Sequence, residues 1–125
     1  VTDEASAVAG LRILLVEDEA LVAMMIEDML HDLGCTVVAI AGSVSEGMAF
    51  VDDAALDLDG AVLDVNLGGE KVFPVAERLR TRGVPFIFST GYGKAGIVPD
   101  FANAPILAKP YGTMALRDML ASSVA

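Results

Sequence analysis

The sequence predicts an α/β fold, a parallel sheet with helices on both faces. Three observations lead there. Short apolar runs alternate along the chain with segments of helical periodicity, the pattern of repeated strand–helix units. Several of those runs are almost continuously apolar, as strands covered on both faces are. Four of them also end in polar or charged residues: Leu11–Val16 runs into Glu17-Asp18, Ala61–Leu63 into Asp64, Pro85–Phe88 into Ser89-Thr90, and Pro105–Ala108 into Lys109-Pro110. Right-handed crossovers place every carboxyl end of such a sheet on one edge. Three carboxylates, a hydroxyl and an ammonium would then share that edge.

The elements follow in order. Residues 1–10 lack a periodic apolar pattern and read as a loose leader, with one domain over 11–125. Leu11–Val16 is the first strand. Ala20–Asp32 has Leu21, Met24, Met25, Asp28, Met29 and Leu33 near helical spacing, and Gly34 supplies a stop. Asp18 stands where an N-cap for this helix would stand. Thr36–Ala41 is β-branched and predicts the second strand. Ser43-Val44-Ser45-Glu46 fits a capping box, and Val44, Met48 and Val51 give the second helix its apolar stripe, ending near Asp53. Gly60–Asp64 is the third strand and Gly68-Gly69 a loop. The third helix spans roughly Glu70–Arg82, with Pro74 tolerated in its first turn. Val84–Phe88 is the fourth strand. Gly91–Ala104 holds Gly91, Gly93, Gly96 and Pro99, which predicts a loop with at most a short or distorted helical turn. Pro105–Ala108 is the fifth strand and Met114–Ser122 the terminal helix.

With 125 residues, 54% of them hydrophobic, the chain forms one domain with a substantial core. A formal charge of −10 with only eight scattered Lys and Arg residues argues against direct nucleic-acid binding, which relies on a basic surface. No signal-peptide pattern or membrane-length apolar run occurs, so the expected location is the cytoplasm, with no membrane partner. Cys35 is the single cysteine and reads as a small apolar filler, and His31, without a second histidine, as a helix-end charge or cap.

Asp64 is costly at the end of a buried strand unless a cation compensates it. Glu17, Asp18 and Asp64, with the backbone carbonyl of Asn66, make an oxygen-rich set suited to Mg2+, or alternatively Mn2+. Without the ion, like charges would repel an incoming phosphate; with it, the crevice can accept one. Thr90 can donate to a phosphoryl oxygen and Lys109 can offset its charge. The chemistry this suggests is in-line transfer of a phosphoryl group to an oxygen of Asp64. Taken singly, each residue has a plainer reading as a cap, a loop end or a solvated charge.

Four fragments, Leu14-Leu15-Val16-Glu17-Asp18-Glu19, Leu63-Asp64-Val65-Asn66-Leu67, Ser89-Thr90-Gly91 and Leu107-Ala108-Lys109-Pro110-Tyr111, resemble in order and spacing the CheY-like receiver domains of response regulators. The resemblance covers nearly everything from Leu11 onward. It implies a three-layer, flavodoxin-like fold with a five-stranded sheet of order 2-1-3-4-5. It also implies a metal site at Glu17, Asp18, Asp64 and Asn66, phosphorylation at Asp64, and catalytic or switch roles for Thr90 and Lys109. The implied donor is a phosphohistidine on a histidine kinase or histidine phosphotransfer protein. A downstream protein partner would bind the surface of the fourth-helix region, fifth strand and last helix. Oligomeric state is not implied.

The sequence departs from the family's usual pattern in places. Gly68-Gly69 replaces a common methionine-proline pair, and Ile106 stands where many relatives carry a switch tyrosine or phenylalanine, leaving Tyr92 and Tyr111 as nearby aromatics. Pro85–Gly93 resembles a subgroup marked by a phenylalanine-alanine-threonine-glycine run, with Ser89 in the alanine position. That subgroup tends to have an altered fourth helix and to work with non-classical histidine kinases, including those of stress-response pathways.

Other readings are weaker. Gly91-Tyr92-Gly93-Lys94-Ala95-Gly96 matches a dinucleotide-binding pattern, but Pro99 interrupts the helix that must follow. A haloacid-type hydrolase would need an aspartate where Asn66 stands. The serious alternative is a phosphorylation-independent, receiver-like interaction module, which has no chemical need for the complete set of acidic, hydroxyl and lysine groups.

Overall fold

The structure, a computed structural model, describes residues 7–125. Its elements are β1 (Arg12–Val16), α1 (Ala20–Asp32), β2 (Thr36–Ala41), α2 (Val44–Asp52), β3 (Gly60–Asp64), a small hairpin of β4 (Asn66–Leu67) and β5 (Glu70–Lys71), α3 (Phe73–Arg82), β6 (Phe86–Thr90), β7 (Ile106–Ala108) and α4 (Thr113–Ser123). Five strands form one sheet in the order β2-β1-β3-β6-β7, every pair parallel. Omitting the hairpin, this is the predicted order.

The sheet separates two apolar layers. Leu14, Val16, Leu63 and Phe88 point toward α2 and α3, where Val51, Val75, Ala76 and Leu79 meet them. Ile13, Leu15, Val62 and Ile87 point the other way, onto Ala23, Ile26 and Leu30 of α1 and Leu116 and Leu120 of α4. Alternate strand residues thus feed opposite layers.

In α1 the predicted stripe is buried only at its far end, where Leu33 is buried and Met29 partly so. Leu21, Met24 and Met25 are 75%, 58% and 58% exposed, while Ala23, Ile26 and Leu30 face the sheet. The segment Ala20–Ile26 is apolar on all sides, so periodicity alone cannot choose its inner face. Contact with β1 chooses it. The N-cap is Glu19 rather than Asp18, and it makes no side-chain capping bond. Gly34, at φ +84°, turns the chain out of the helix. For α2 the capping box forms with one change of partner: Ser43 Oγ accepts from the Glu46 N–H (3.2 Å), while Glu46 Oε1 reaches back to the N–H of Gly42 (2.7 Å).

The third helix begins at Phe73, three residues later than the pattern suggested. Gly68 and Gly69, both at positive φ (+58° and +94°), form a two-residue turn that pairs Asn66 with Lys71 and Leu67 with Glu70. Two consecutive positive-φ residues are the geometry of a tight hairpin, and they withdraw Glu70 and Lys71 from the helix. The far end is firmly tied: Arg82 donates to the carbonyls of Val51 (3.1 Å) and Leu56, bridging α3 to the end of α2.

Gly91–Ala104 contains only two 3-10 turns, Gly93–Gly96 and Pro99–Phe101, as its glycines and proline predicted. An aromatic cluster fills the space beside them. Phe101 is 3% exposed, stacks on Phe73 at 5.6 Å and meets Phe88 edge-on at 5.7 Å. Of the leader, residues 1–6 lie outside the described range. Val8 is fully buried, and its carbonyl accepts from Cys35 Sγ at 3.3 Å. Phe88 joins the sheet to this cluster, so Phe88→Ala is expected to lower stability by about 3–5 kcal/mol, read from the urea midpoint.

Candidate functional site: an acidic crevice closed by one lysine

Parallel register brings the strand ends level. Val16 pairs with Leu63, Asp64 with Ser89, and Thr90 with Ala108, so Glu17, Asp64, Thr90 and Lys109 emerge at one edge. Two backbone bonds extend the ladders beyond the strands: the Glu17 N–H donates to the Ala41 carbonyl (2.9 Å), and the Lys109 N–H to the Thr90 carbonyl (2.8 Å). The side chains that need aiming therefore sit on backbone that is already held.

Lys109 bridges the two buried acids. Its Nζ lies 2.7 Å from Glu17 Oε1 and 3.5 Å from Asp64 Oδ1. Glu17 and Asp64 are 3% and 8% exposed, so water screens these charges poorly. Burial pushes the Asp64 carboxyl up to about 7, with the adjacent Glu17 charge adding to the rise; Lys109 and the Asn66 N–H oppose it. For Lys109, burial favours the neutral amine, but the hydrogen bond to Glu17 and the charges of Asp64 and Glu17 outweigh it, so its pKa is raised. The crevice holds its cation firmly and one of its anions reluctantly.

Glu17, Asp18 and Glu19 bring carboxylate oxygens within 4.8 Å of one another, a hard-oxygen cluster able to hold a divalent cation. Glu19 was not among the residues singled out from sequence, although its place beside Glu17-Asp18 was the available signal. Asp64 stands outside this cluster, joined to Glu17 through the Lys109 ammonium that both contact. The hairpin turn lies over the acids: a Cβ added at Gly68 would come within 3.8 Å of Asp18 Oδ2. Asn66, exposed, begins that hairpin two residues beyond Asp64.

Thr90 is 3% exposed, and its Oγ1 accepts from the Tyr92 N–H at 3.1 Å, which leaves its own O–H to donate. Of the two tyrosines noted in the sequence, Tyr92 is 73% exposed, whereas Tyr111 is partly buried with its hydroxyl 3.2 Å from Ser89 Oγ. Ile106 pairs with Phe88 and packs against the α2–α3 layer, filling apolar space. The Ser89–Tyr111 contact was not legible in the sequence, since 22 positions separate the two residues and only the β6–β7 pairing joins them.

The response regulator receiver domain family matches residues 13–121, and the chain belongs to it. The curated Phyllosphere-induced regulator PhyR of Methylorubrum extorquens is 30% identical over 112 residues, covering 86% of this chain and 41% of that protein. The chain thus spans about two-fifths of that relative's length. Among solved structures, SdrG from Sphingomonas melonis Fr1 is 43% identical with a TM-score of 0.79, covering 93% of this chain and 96% of SdrG. A BeF3-activated conformation of SdrG from Pseudomonas melonis Fr1 is also 43% identical, with a TM-score of 0.76 over 91% of this chain and 96% of that one. The fold and the order of the crevice residues therefore define a receiver-domain signalling module. Among the described residues no helix is long and apolar enough to cross a membrane.

The raised Asp64 pKa carries a stability consequence. Because the folded pKa lies above the unfolded value, the native state binds the proton more tightly, and stability falls as pH rises from about 4 through 7. In metal-free protein, Asp64→Asn should raise the melting temperature by a few degrees at pH 8 and lose that advantage at pH 4. Parallel melting curves for the two proteins across that range would refute the assignment.

Proposed function

We propose that the chain is the phosphoacceptor receiver of a two-component or phosphorelay system, with Asp64 as the residue phosphorylated. The observation that carries this reading is the placement of Asp64: a nearly buried carboxylate at the end of a central strand, 3.5 Å from the Lys109 ammonium that also holds Glu17. A carboxylate left in such a place without chemistry would cost stability and return nothing.

The donor is a phosphohistidine on a histidine kinase or histidine phosphotransfer protein. An Asp64 carboxylate oxygen attacks phosphorus, the phosphorus–nitrogen bond breaks, and the histidine leaves as a neutral imidazole after taking up a proton. The product is an acyl phosphate, and its hydrolysis returns Asp64 and inorganic phosphate. Lys109 turns its ammonium to the phosphoryl oxygens, and the Thr90 O–H is free to donate to one of them. Glu17, Asp18, Asp64 and the Asn66 carbonyl would hold Mg2+ or Mn2+, which when bound neutralises phosphoryl charge. Glu19 widens that oxygen set. The BeF3-activated conformation known for SdrG supports the reading, since beryllofluoride imitates a phosphoryl group on a carboxylate.

The approach of a donor is also consistent with the surface. Exposed Leu21, Met24 and Met25 form an apolar face on α1, and Met25 continues into a groove of about 150 Å³ bounded by Lys109, Pro110 and Tyr111. A helical partner bringing phosphohistidine to Asp64 would pass over this face. Phosphorylation would then shift a population between two arrangements near Thr90 and Lys109, and a downstream protein would read the change.

Intact-mass spectrometry with acetyl phosphate and Mg2+ tests the proposal directly. The parent should gain one phosphate-sized increment, and both Asp64→Asn and chelation of the metal should remove it. If neither acetyl phosphate nor a phosphorylated histidine kinase labels the parent, the phosphorylation-independent interaction module is the better account. Lys109→Ala should slow labelling at least about tenfold, consistent with loss of a charge-assisted contact in a poorly screened site.

A further inference from the structure

The segment that carries Lys109 is tied to the end of β6 at two points. The Lys109 N–H donates to the Thr90 carbonyl at 2.8 Å, in the plane of the sheet. Two residues on, the Tyr111 hydroxyl lies 3.2 Å from Ser89 Oγ. Ser89 occupies a site where an apolar side chain would be expected: it is 1% exposed, pairs with Leu107, and lies two residues from Ile87 on the face that α1 and α4 cover. A hydroxyl buried there needs a partner, and Tyr111 supplies one. The Tyr111 ring packs into the same apolar layer, so its hydroxyl is held at that depth by packing as well as by the bond.

We propose that Ser89 and Tyr111 are positioning residues for Lys109. Their hydrogen bond, with the Thr90 bond, staples the Lys109–Tyr111 segment to β6 and keeps the ammonium between Glu17 and Asp64. Lysine has a long, rotamer-rich stem, and fixing the backbone that carries it, directly at its own N–H and two residues on through Tyr111, removes freedom that would otherwise be lost when the ammonium meets a phosphoryl group. The staple's part in phosphotransfer rests on the reading of Asp64 as the phosphoacceptor; its restraint of the Lys109 backbone does not.

Tyr111→Phe removes the hydroxyl and leaves the ring; Ser89→Ala removes the other partner; Ser89→Thr keeps a hydroxyl. Two quantities are measured on the full chain: hydrogen exchange of the Lys109 amide in metal-free protein, and the rate of Asp64 labelling by acetyl phosphate with Mg2+. In Tyr111→Phe and Ser89→Ala, exchange should accelerate about three- to tenfold, the range expected for one neutral hydrogen bond. The labelling rate at saturating donor should fall by a similar factor, with the half-saturating donor concentration unchanged. Ser89→Thr should stay near the parent, and the double variant should be no worse than either single one, since both remove the same bond. Parental exchange in both single variants, or effects that multiply in the double variant, would overturn the staple. Accelerated exchange with parental labelling rates would overturn its role in positioning. If exchange responds but the parent takes no phosphoryl group, the staple stands and the phosphoacceptor reading fails.

Discussion

Two buried carboxylates and one lysine set the terms on which this fold exists. Glu17 and Asp64 are withdrawn from water at the carboxyl edge of the sheet, and Lys109 is the cation bonded to both. Coulomb attraction at 2.7 Å in a poorly hydrated crevice is strong, but it does not cancel two negative charges with one positive. Burial, with the Glu17 charge adding to it, pushes the Asp64 carboxyl upward, and a cluster of acidic oxygens stands beside the pair. A site with a surplus of negative charge, arranged around oxygen, is matched to a divalent cation and to whatever that cation can help neutralise.

Everything else serves to hold those three side chains together. The chain doubles back between β1 and β3 while β2 lies outside them, so the crevice opens at the point where the strand order reverses, as in other open parallel sheets. Glu17 and Lys109, 92 positions apart, meet because β1, β3, β6 and β7 end level. The Gly68-Gly69 turn folds a short hairpin over the acids, and the Phe73, Phe86, Phe88 and Phe101 cluster supports the opposite side of β6 where a regular helix is absent.

The architecture was readable from the chain because its signals are local. Continuous apolar runs marked the five principal strands, the glycines and proline of 91–104 forecast the loss of a regular helix, and Ser43 with Glu46 announced the cap of α2. The resemblance to receiver domains supplied the sheet order and identified the residues of the crevice. Errors arose where two local signals competed. Periodicity extended α3 back to Glu70, but two glycines at positive φ turned that stretch into a hairpin.

What the sequence determined by itself was the set of chemical groups and the strand ends that carry them: Glu17-Asp18, Asp64, Ser89-Thr90 and Lys109. Tertiary structure alone decided how those groups partner. It assigned Lys109 to Glu17 at 2.7 Å and to Asp64 at 3.5 Å, joined Ser89 to Tyr111, and buried Ala23, Ile26 and Leu30 while leaving Leu21, Met24 and Met25 in solvent. The physical reason is common to all of these. Propensity and periodicity act over a few neighbouring residues, whereas pairing and the choice of a helix's inner face depend on surfaces that exist only once distant strands have come into register.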